Sequence, residues 1–162
     1  MDAATGRAFL VPERDGQSVW VTDELVTIKV TGETTGGLYS LTDSRVPPEG
    51  GPPRHVHERE DEAFWILEGE LEIAAGEERF VANVGSFVRL PRGVPRSYRN
   101  VGTGSVGFLT LMVPAGLEKF FEEVGVPGAD VESPPAIDPE AIDTLSAAAS
   151  RFGITILAPE EA

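Results

Sequence analysis

The chain of 162 residues contains no cysteine and only two histidines, and it has no long apolar run. Without cysteine it can form neither a disulfide nor a thiolate metal site. No apolar stretch approaches the roughly 18 residues that a membrane-spanning helix needs, so we expect no such helix. The N-terminus has no basic start followed by an apolar segment, so we predict no secretory signal and a cytoplasmic location.

Positive charge is also scarce, because 13 lysines and arginines stand against 27 acids and leave a net charge of -14. Nucleic acids and anionic membrane surfaces repel such a chain, and we therefore expect neither as a partner. The basic residues are unevenly spread, with four arginines between residues 89 and 99. We interpret Arg89, Arg92 and Arg99 as surface residues that balance nearby acids.

Glycine and proline, in contrast, are abundant, at 18 and 13 residues, and they separate short runs of β-branched and aromatic residues. Many short strands punctuated in this way predict an all-β sandwich or barrel. The clearest predicted hairpin covers residues 63–73 and turns at Glu68 and Gly69. With 41% hydrophobic residues, the chain is expected to form one domain with a proper core. We divide it into an N-terminal segment (1–17), a barrel (18–114) and a C-terminal extension (115–162).

The C-terminal extension has a helical pattern. Apolar residues recur at helical spacing from Leu117 to Val124. Asp138 and Pro139 have the residue types of a helix N-cap and first turn, and we expect this second helix to end near Phe152. We predict that the extension packs over one end of the barrel, and a lid over a pocket is the alternative.

The two histidines, His55 and His57, are one residue apart. On a strand they would project side by side from one face. Glu62 lies five positions further on, at the start of an apolar run, and Asp61 takes its place if the strand slips by one residue. Two imidazoles and a carboxylate suit a divalent transition metal, so we predict a metal site formed by His55, His57 and Glu62.

These residues resemble the first motif of the cupin family. That motif has a glycine before a His-X-His pair, then a glutamate and a second glycine, and His55, His57, Glu62 and Gly69 have the required spacings. Only the leading glycine is displaced, by one or two positions. The chain is similar to a small single-domain cupin of the quercetin dioxygenase-like type.

The second cupin motif matches at Gly85, Pro91, Gly93 and Asn100, but Arg96 stands where the family has a histidine. The resemblance implies a double-stranded β-helix (jelly-roll) barrel in which three histidines and one glutamate hold a metal. Arginine has five donors and no acceptor, so Arg96 cannot bind a cation. The loss of the usual fourth ligand leaves two interpretations open.

In the first interpretation, the three remaining ligands retain one divalent transition metal (Fe, Mn, Ni, Co, Cu or Zn). Arg96 and Tyr98 share a strand face, and Arg96 would hold a carboxylate or enolate oxygen of the substrate. Glu62, Arg96 and Tyr98 are then the catalytic residues. This interpretation, which we favour, predicts a quercetinase-like dioxygenase for a small organic substrate that is anionic, an enediol or a flavonol.

In the second interpretation, no metal binds and Arg96 pairs with Glu62. His57, Glu62 and Tyr98 would then carry out acid–base chemistry, with arginine stabilising an enolate or carboxylate. Such a site suits a cyclase or an isomerase. A cupin that binds a small molecule without converting it is the remaining alternative.

We also expect a homodimer, since small cupins commonly pair. Trp20 and Trp65 are large aromatic residues of the kind enriched at interfaces. An early strand at residues 19–21 could join the sheet of a partner.

Overall fold

The computed structural model describes residues 6–159, so the two ends of the chain, residues 1–5 and 160–162, lie outside the description. Twelve strands and three helices follow one another within the described residues. In chain order they are β1 (Gln17–Val21), β2 (Glu24–Val30), α1 (Gly32–Thr35), β3 (Ser40–Val46), β4 (His55–His57), β5 (Asp61–Glu68), β6 (Leu71–Ala75), β7 (Glu78–Ala82), β8 (Phe87–Leu90), β9 (Arg96–Asn100), β10 (Val106–Val113), α2 (Glu118–Val124), β11 (Val126–Pro127), α3 (Pro139–Arg151) and β12 (Ile154–Ile156).

The strands form two antiparallel sheets that pack face to face. The larger sheet has the order β11-β1-β2-β3-β10-β5-β8, and the smaller sheet has the order β12-β4-β9-β6-β7. Neighbours in the sheets are often far apart in the chain, as expected of a jelly roll. The predicted fold class, an all-β jelly roll with a short helical tail, is therefore confirmed.

The core lies between the two sheets because apolar residues alternate along the strands. In β5, Phe64 and Ile66 are buried, whereas Trp65 between them is 48% exposed. Leu71 and Ile73 of β6 face them from the smaller sheet in the same cluster. This period of two also decides the direction of Glu62, which shares the inward face of Phe64 and Ile66.

The predicted hairpin at residues 63–73 is wrong, although the turn at Gly69 is real. β5 pairs with β10 and β8, whereas β6 pairs with β7 and β9 in the other sheet. Gly69 has a φ of 74°, and the chain crosses there from one sheet to the other. A hairpin and a crossing of this kind both need a positive φ, so the turn residue alone does not distinguish them.

The two predicted tail helices are confirmed. The side chain of Asp138 accepts a hydrogen bond from the backbone N–H of Glu140 at 3.0 Å, which caps α3 as expected. Ala148 and Ala149 of α3 pack with Leu117 and Phe120 in a second apolar cluster. No helix in the described part of the chain is long and apolar enough to cross a membrane.

The strand β1 is not free to pair with a partner chain in the way that we expected for a dimer. Its outer edge is covered by β11 of the same chain, with Val19 opposite Pro127 and Trp20 opposite Val126. Trp20 is only 4% exposed. Neither this edge nor Trp20 is therefore available to a partner, whereas Trp65 remains on the surface.

Candidate functional site

The two histidines of β4 face the interior together. His55 and His57 are both buried, and their Nε2 atoms lie 3.1 Å apart. Nδ1 of His55 donates to the carbonyl oxygen of Pro53 at 2.8 Å, which leaves its Nε2 free to accept. Burial lowers the pKa of His55 and lowers that of His57 to about 4, with Glu62 opposing both shifts. Both imidazoles are therefore neutral at neutral pH.

Glu62 joins this pair from β5 in the opposite sheet. Its Oε2 lies 3.5 Å from Nε2 of His57 and 2.8 Å from Nη1 of Arg96. Burial alone would raise the pKa of Glu62. The positive charges that His57 and His55 carry when protonated, together with the permanent charge of Arg96, bring this pKa below its ordinary value. Glu62 is thus a buried, ionised carboxylate. The alternative residue, Asp61, lies on the other strand face, where it accepts a hydrogen bond from the backbone N–H of Arg92 at 2.9 Å.

Arg96 is fully buried on β9, directly opposite His55 in the neighbouring strand. Its guanidinium donates to Glu62 and to three carbonyl oxygens, those of Val94, Leu90 and Pro91. Four of its five N–H donors are therefore used within the protein. Arg96 is not among the described residues that line the pocket beside the histidines. Arg96 therefore binds Glu62 and does not contact a molecule in the pocket.

The donor set fits a metal only in part. Two ligands with bonds of about 2.1 Å to one ion lie roughly 3.0–3.5 Å apart, and the Nε2 atoms of His55 and His57 meet this condition at 3.1 Å. The third predicted ligand, Glu62, meets the same condition with its Oε2 3.5 Å from Nε2 of His57, but that oxygen also accepts a hydrogen bond from the positively charged Arg96 at 2.8 Å. Among residues 6–159, no three His, Cys, Asp or Glu side chains are arranged to hold an ion. The residues as placed do not form the predicted three-ligand site.

Two further carboxyl groups near the site were not predicted from the sequence. Oε2 of Glu60 lies 3.9 Å from Nδ1 of His57, and both atoms are buried without a hydrogen-bond partner. Burial raises the pKa of Glu60 to about 7. The second carboxyl group is that of Glu24, the first residue of β2. Glu24 is two positions before the buried Val26 and therefore points to the same inner face, and this spacing could have identified it from the sequence.

Tyr98 contacts Glu24 across the two sheets. Its hydroxyl donates to Oε2 of Glu24 at 2.5 Å, and its ring packs edge-on against Phe64 and Phe108. Burial raises the pKa of Glu24 to about 7, although hydrogen bonds from Tyr98 and Ser44 oppose the shift. Burial and the nearby Glu24 hold the pKa of Tyr98 well above 10, so its hydroxyl keeps its proton.

A pocket with largely apolar walls opens onto these groups. The polar side chains that line it are those of Thr22, Glu24, His55, His57, Glu62 and Tyr98. The C-terminal extension supplies much of its apolar wall, through Phe120, Phe121, Leu145, Ala149, Ile154 and Ile156.

The last strand explains why the extension lies there. β12 pairs with β4, placing Ile154 opposite His57 and Ile156 opposite His55. The extension therefore packs beside the site and is joined to the smaller sheet through β12.

Comparison with known proteins agrees with this architecture. Residues 43–113 match the model of the cupin domain family. Quercetin 2,3-dioxygenase of Bacillus subtilis (strain 168) is 25% identical to the chain over 131 residues, which cover 78% of the chain and 37% of that protein. The chain thus spans well under half the length of this curated relative.

Three solved structures share the fold at low sequence identity. A predicted oxalate decarboxylase from Thermotoga maritima has a TM-score of 0.61 at 18% identity and covers 65% of this chain and 99% of its own. KdgF from Halomonas sp. has a TM-score of 0.58 at 17% identity, covering 71% and 99%. The polyketide cyclase RemF from Streptomyces resistomycificus has a TM-score of 0.51 at 20% identity, covering 62% and 69%. Residues 43–113 thus match a cupin domain, and the histidine-bearing first motif and the jelly-roll topology agree with that match.

Proposed function

We propose that this cupin is an enzyme that moves a proton on a small, enolisable organic molecule, as a cyclase, isomerase or epimerase does, without a metal. The contact between Arg96 and Glu62 carries this proposal, because it places a permanent positive charge against Oε2 of Glu62, the oxygen that faces His57, where a metal cation would have to bind. The comparisons support a small-molecule cupin but leave its reaction open.

The histidine pair is suited to accept the proton. Both imidazoles line the pocket, and their Nε2 atoms are close enough that a proton accepted by one is hydrogen-bonded to the other. The carboxylate of Glu62, 3.5 Å from His57, stabilises the positive charge that then forms. Arg96 acts through Glu62 as a positioning residue, since it keeps that carboxylate ionised and directed at His57.

The reaction balances without a co-reactant. The base takes a proton from a carbon next to a carbonyl group, and the electron pair of the C–H bond becomes an enolate. Return of the proton to another carbon gives isomerisation, and return to the opposite face gives epimerisation. Attack of the enolate carbon on a second carbonyl in the same molecule gives cyclisation, in which the C=O π bond opens to an alkoxide and the base returns its proton to that oxygen.

Hydrogen exchange with solvent tests this function without knowledge of the natural substrate. In D₂O, we expect the protein to speed the loss of the C1 proton signals of 2-tetralone, a small neutral ketone, followed by proton NMR. His57→Ala should lower the exchange rate by at least 100-fold, the range typical of a general base. Glu122→Ala, which changes an exposed glutamate of α2, should leave the rate unaltered. Equal rates for His57→Ala and the unchanged protein would refute the proposal.

A metal-dependent dioxygenase of the quercetinase-like type is the second candidate. The 3.1 Å separation of the two Nε2 atoms favours it, as does the dioxygenase relative. His55 and His57 would hold the ion, and Glu62 would have to exchange Arg96 for it. A bound ion would supply Lewis-acid or oxygen chemistry to a molecule in the pocket.

Metal content separates the two candidates. We expect untagged protein, incubated with iron, manganese, nickel, cobalt, copper or zinc and then desalted, to retain well under one ion per chain by elemental mass spectrometry. Arg96→His should retain about one, because it frees Glu62 and adds an imidazole opposite His55. Arg99→His, on the exposed face of the same strand, is the matched control. One ion per chain in the unchanged protein, with oxygen uptake on flavonols, would establish the dioxygenase instead.

A further inference from the structure

The pair formed by Glu24 and Tyr98 has no part in the proton transfer described above. Glu24 is half-buried at the start of β2, in the larger sheet, and Tyr98 lies on β9 in the smaller sheet. Both side chains line the pocket, and their 2.5 Å hydrogen bond connects the two sheets there. A ligand beside the histidines therefore has a second polar group within the same pocket.

The charge of the pocket restricts what that ligand can be. None of the sixteen described residues that line it is a lysine or an arginine. Arg96 is turned away and committed to Glu62, and both imidazoles are neutral. The charged groups that act on Glu24 are its neighbour Asp23 and the buried Glu62, both acids. An anionic ligand would meet acids without a free cation to balance its charge.

We propose that the pocket binds a neutral phenolic or enolic molecule, and that the hydroxyl oxygen of this ligand hydrogen-bonds to Glu24, which Tyr98 holds in place. The apolar walls, which include Val26, Phe120, Leu145 and Ile156, suit an apolar carbon skeleton. Binding of such a molecule does not require that the protein converts it; only the statement that this ligand is a substrate rests on the proposed function.

The protonation of Glu24 supports this role. With a pKa raised to about 7 by burial, the carboxyl exists in both forms at neutral pH. It can accept the hydrogen of a hydroxyl group when ionised, and donate to an enolate-like oxygen when protonated. A carboxylic acid kept protonated in an apolar site can donate a hydrogen bond to an enolate oxygen. Ser44 of β3 also donates to Glu24 and limits its movement.

Three naphthalenes of nearly equal shape test the inference by titration calorimetry at pH 7. The first, 2-naphthol, is neutral with a hydroxyl group; 2-methoxynaphthalene lacks the donor hydrogen; and 2-naphthoate is an anion. We expect 2-naphthol to bind at least tenfold more tightly than either of the others, the effect of one hydrogen bond to a charged or partly charged group. Glu24→Ala should remove this preference and leave the affinity for 2-methoxynaphthalene unchanged.

Two controls separate a binding role from a structural one. Glu24→Gln retains a donor and an acceptor and should keep most of the preference for 2-naphthol, whereas Glu122→Ala should change nothing. The inference is overturned if 2-naphthoate binds most tightly, if all three compounds bind equally or not at all, or if Glu24→Ala has no effect on 2-naphthol. Glu24-dependent binding without exchange of 2-tetralone would refute the proposed function alone. Exchange that depends on His57, with binding indifferent to Glu24, would refute only this inference.

Discussion

Replacing Arg96 with methionine is expected to lower the free energy of unfolding by about 3–5 kcal/mol, the cost of removing one partner of a buried ion pair. The guanidinium is fully buried, and the carboxylate of Glu62 that it contacts at 2.8 Å is almost so. Methionine fills part of the space but leaves Glu62 without its neutralising charge. Urea unfolding, followed by tryptophan fluorescence, measures the loss.

Two further variants show whether the loss comes from charge or from packing. The double variant Arg96→Met with Glu62→Leu should recover most of the stability, because replacing both buried charges with apolar groups is often close to neutral. Arg99→Met removes an exposed arginine from the same strand, whose contact with Glu49 is 3.9 Å long, and should change stability by less than about 0.5 kcal/mol. If Arg96→Met costs no more than Arg99→Met, the ion pair does not hold the two sheets together.

Gly51→Ala is expected to destabilise the protein by about 3 kcal/mol, from strained backbone and a steric clash together. Gly51 has a φ of 149°, and a Cβ atom there would lie 2.0 Å from the carbonyl oxygen of Tyr98. The loop before β4 must therefore move away from β9, which separates His55 from Tyr98. We expect a lower unfolding midpoint in urea and at least tenfold weaker binding of 2-naphthol.

Gly104→Ala is the matched control for this variant. Gly104 also lies in a loop, but a Cβ atom there meets no other atom within 4 Å. Its stability and its affinity for 2-naphthol should match those of the unchanged protein within error. Equal behaviour of the two alanine variants would show that the loop at Gly51 adapts freely, and that it does not position the site.

The position of Glu62 could be predicted from the sequence, whereas the role of Arg96 could not. The alternation of β5 places Glu62 with Phe64 on the inner face, and the spacing of the motif already distinguishes it from Asp61. The sequence also predicted that Arg96 points into the barrel. It left two possible partners for the guanidinium, a substrate and Glu62. Only the packing of β9 against β5 shows that its donors are used within the protein.

The sequence by itself determined the local structure. It indicated the cupin motifs, most of the strands, the capped helix at Asp138 and the shared face of His55 and His57, because these depend on residues a few positions apart. The tertiary structure alone decided which strands pair after Gly69, that β12 lies beside the histidines, and that Glu24 meets Tyr98. These contacts join residues far apart in the chain, 74 positions in the case of Tyr98 and Glu24. Such contacts arise from how two sheets pack, which no local pattern of residue types encodes.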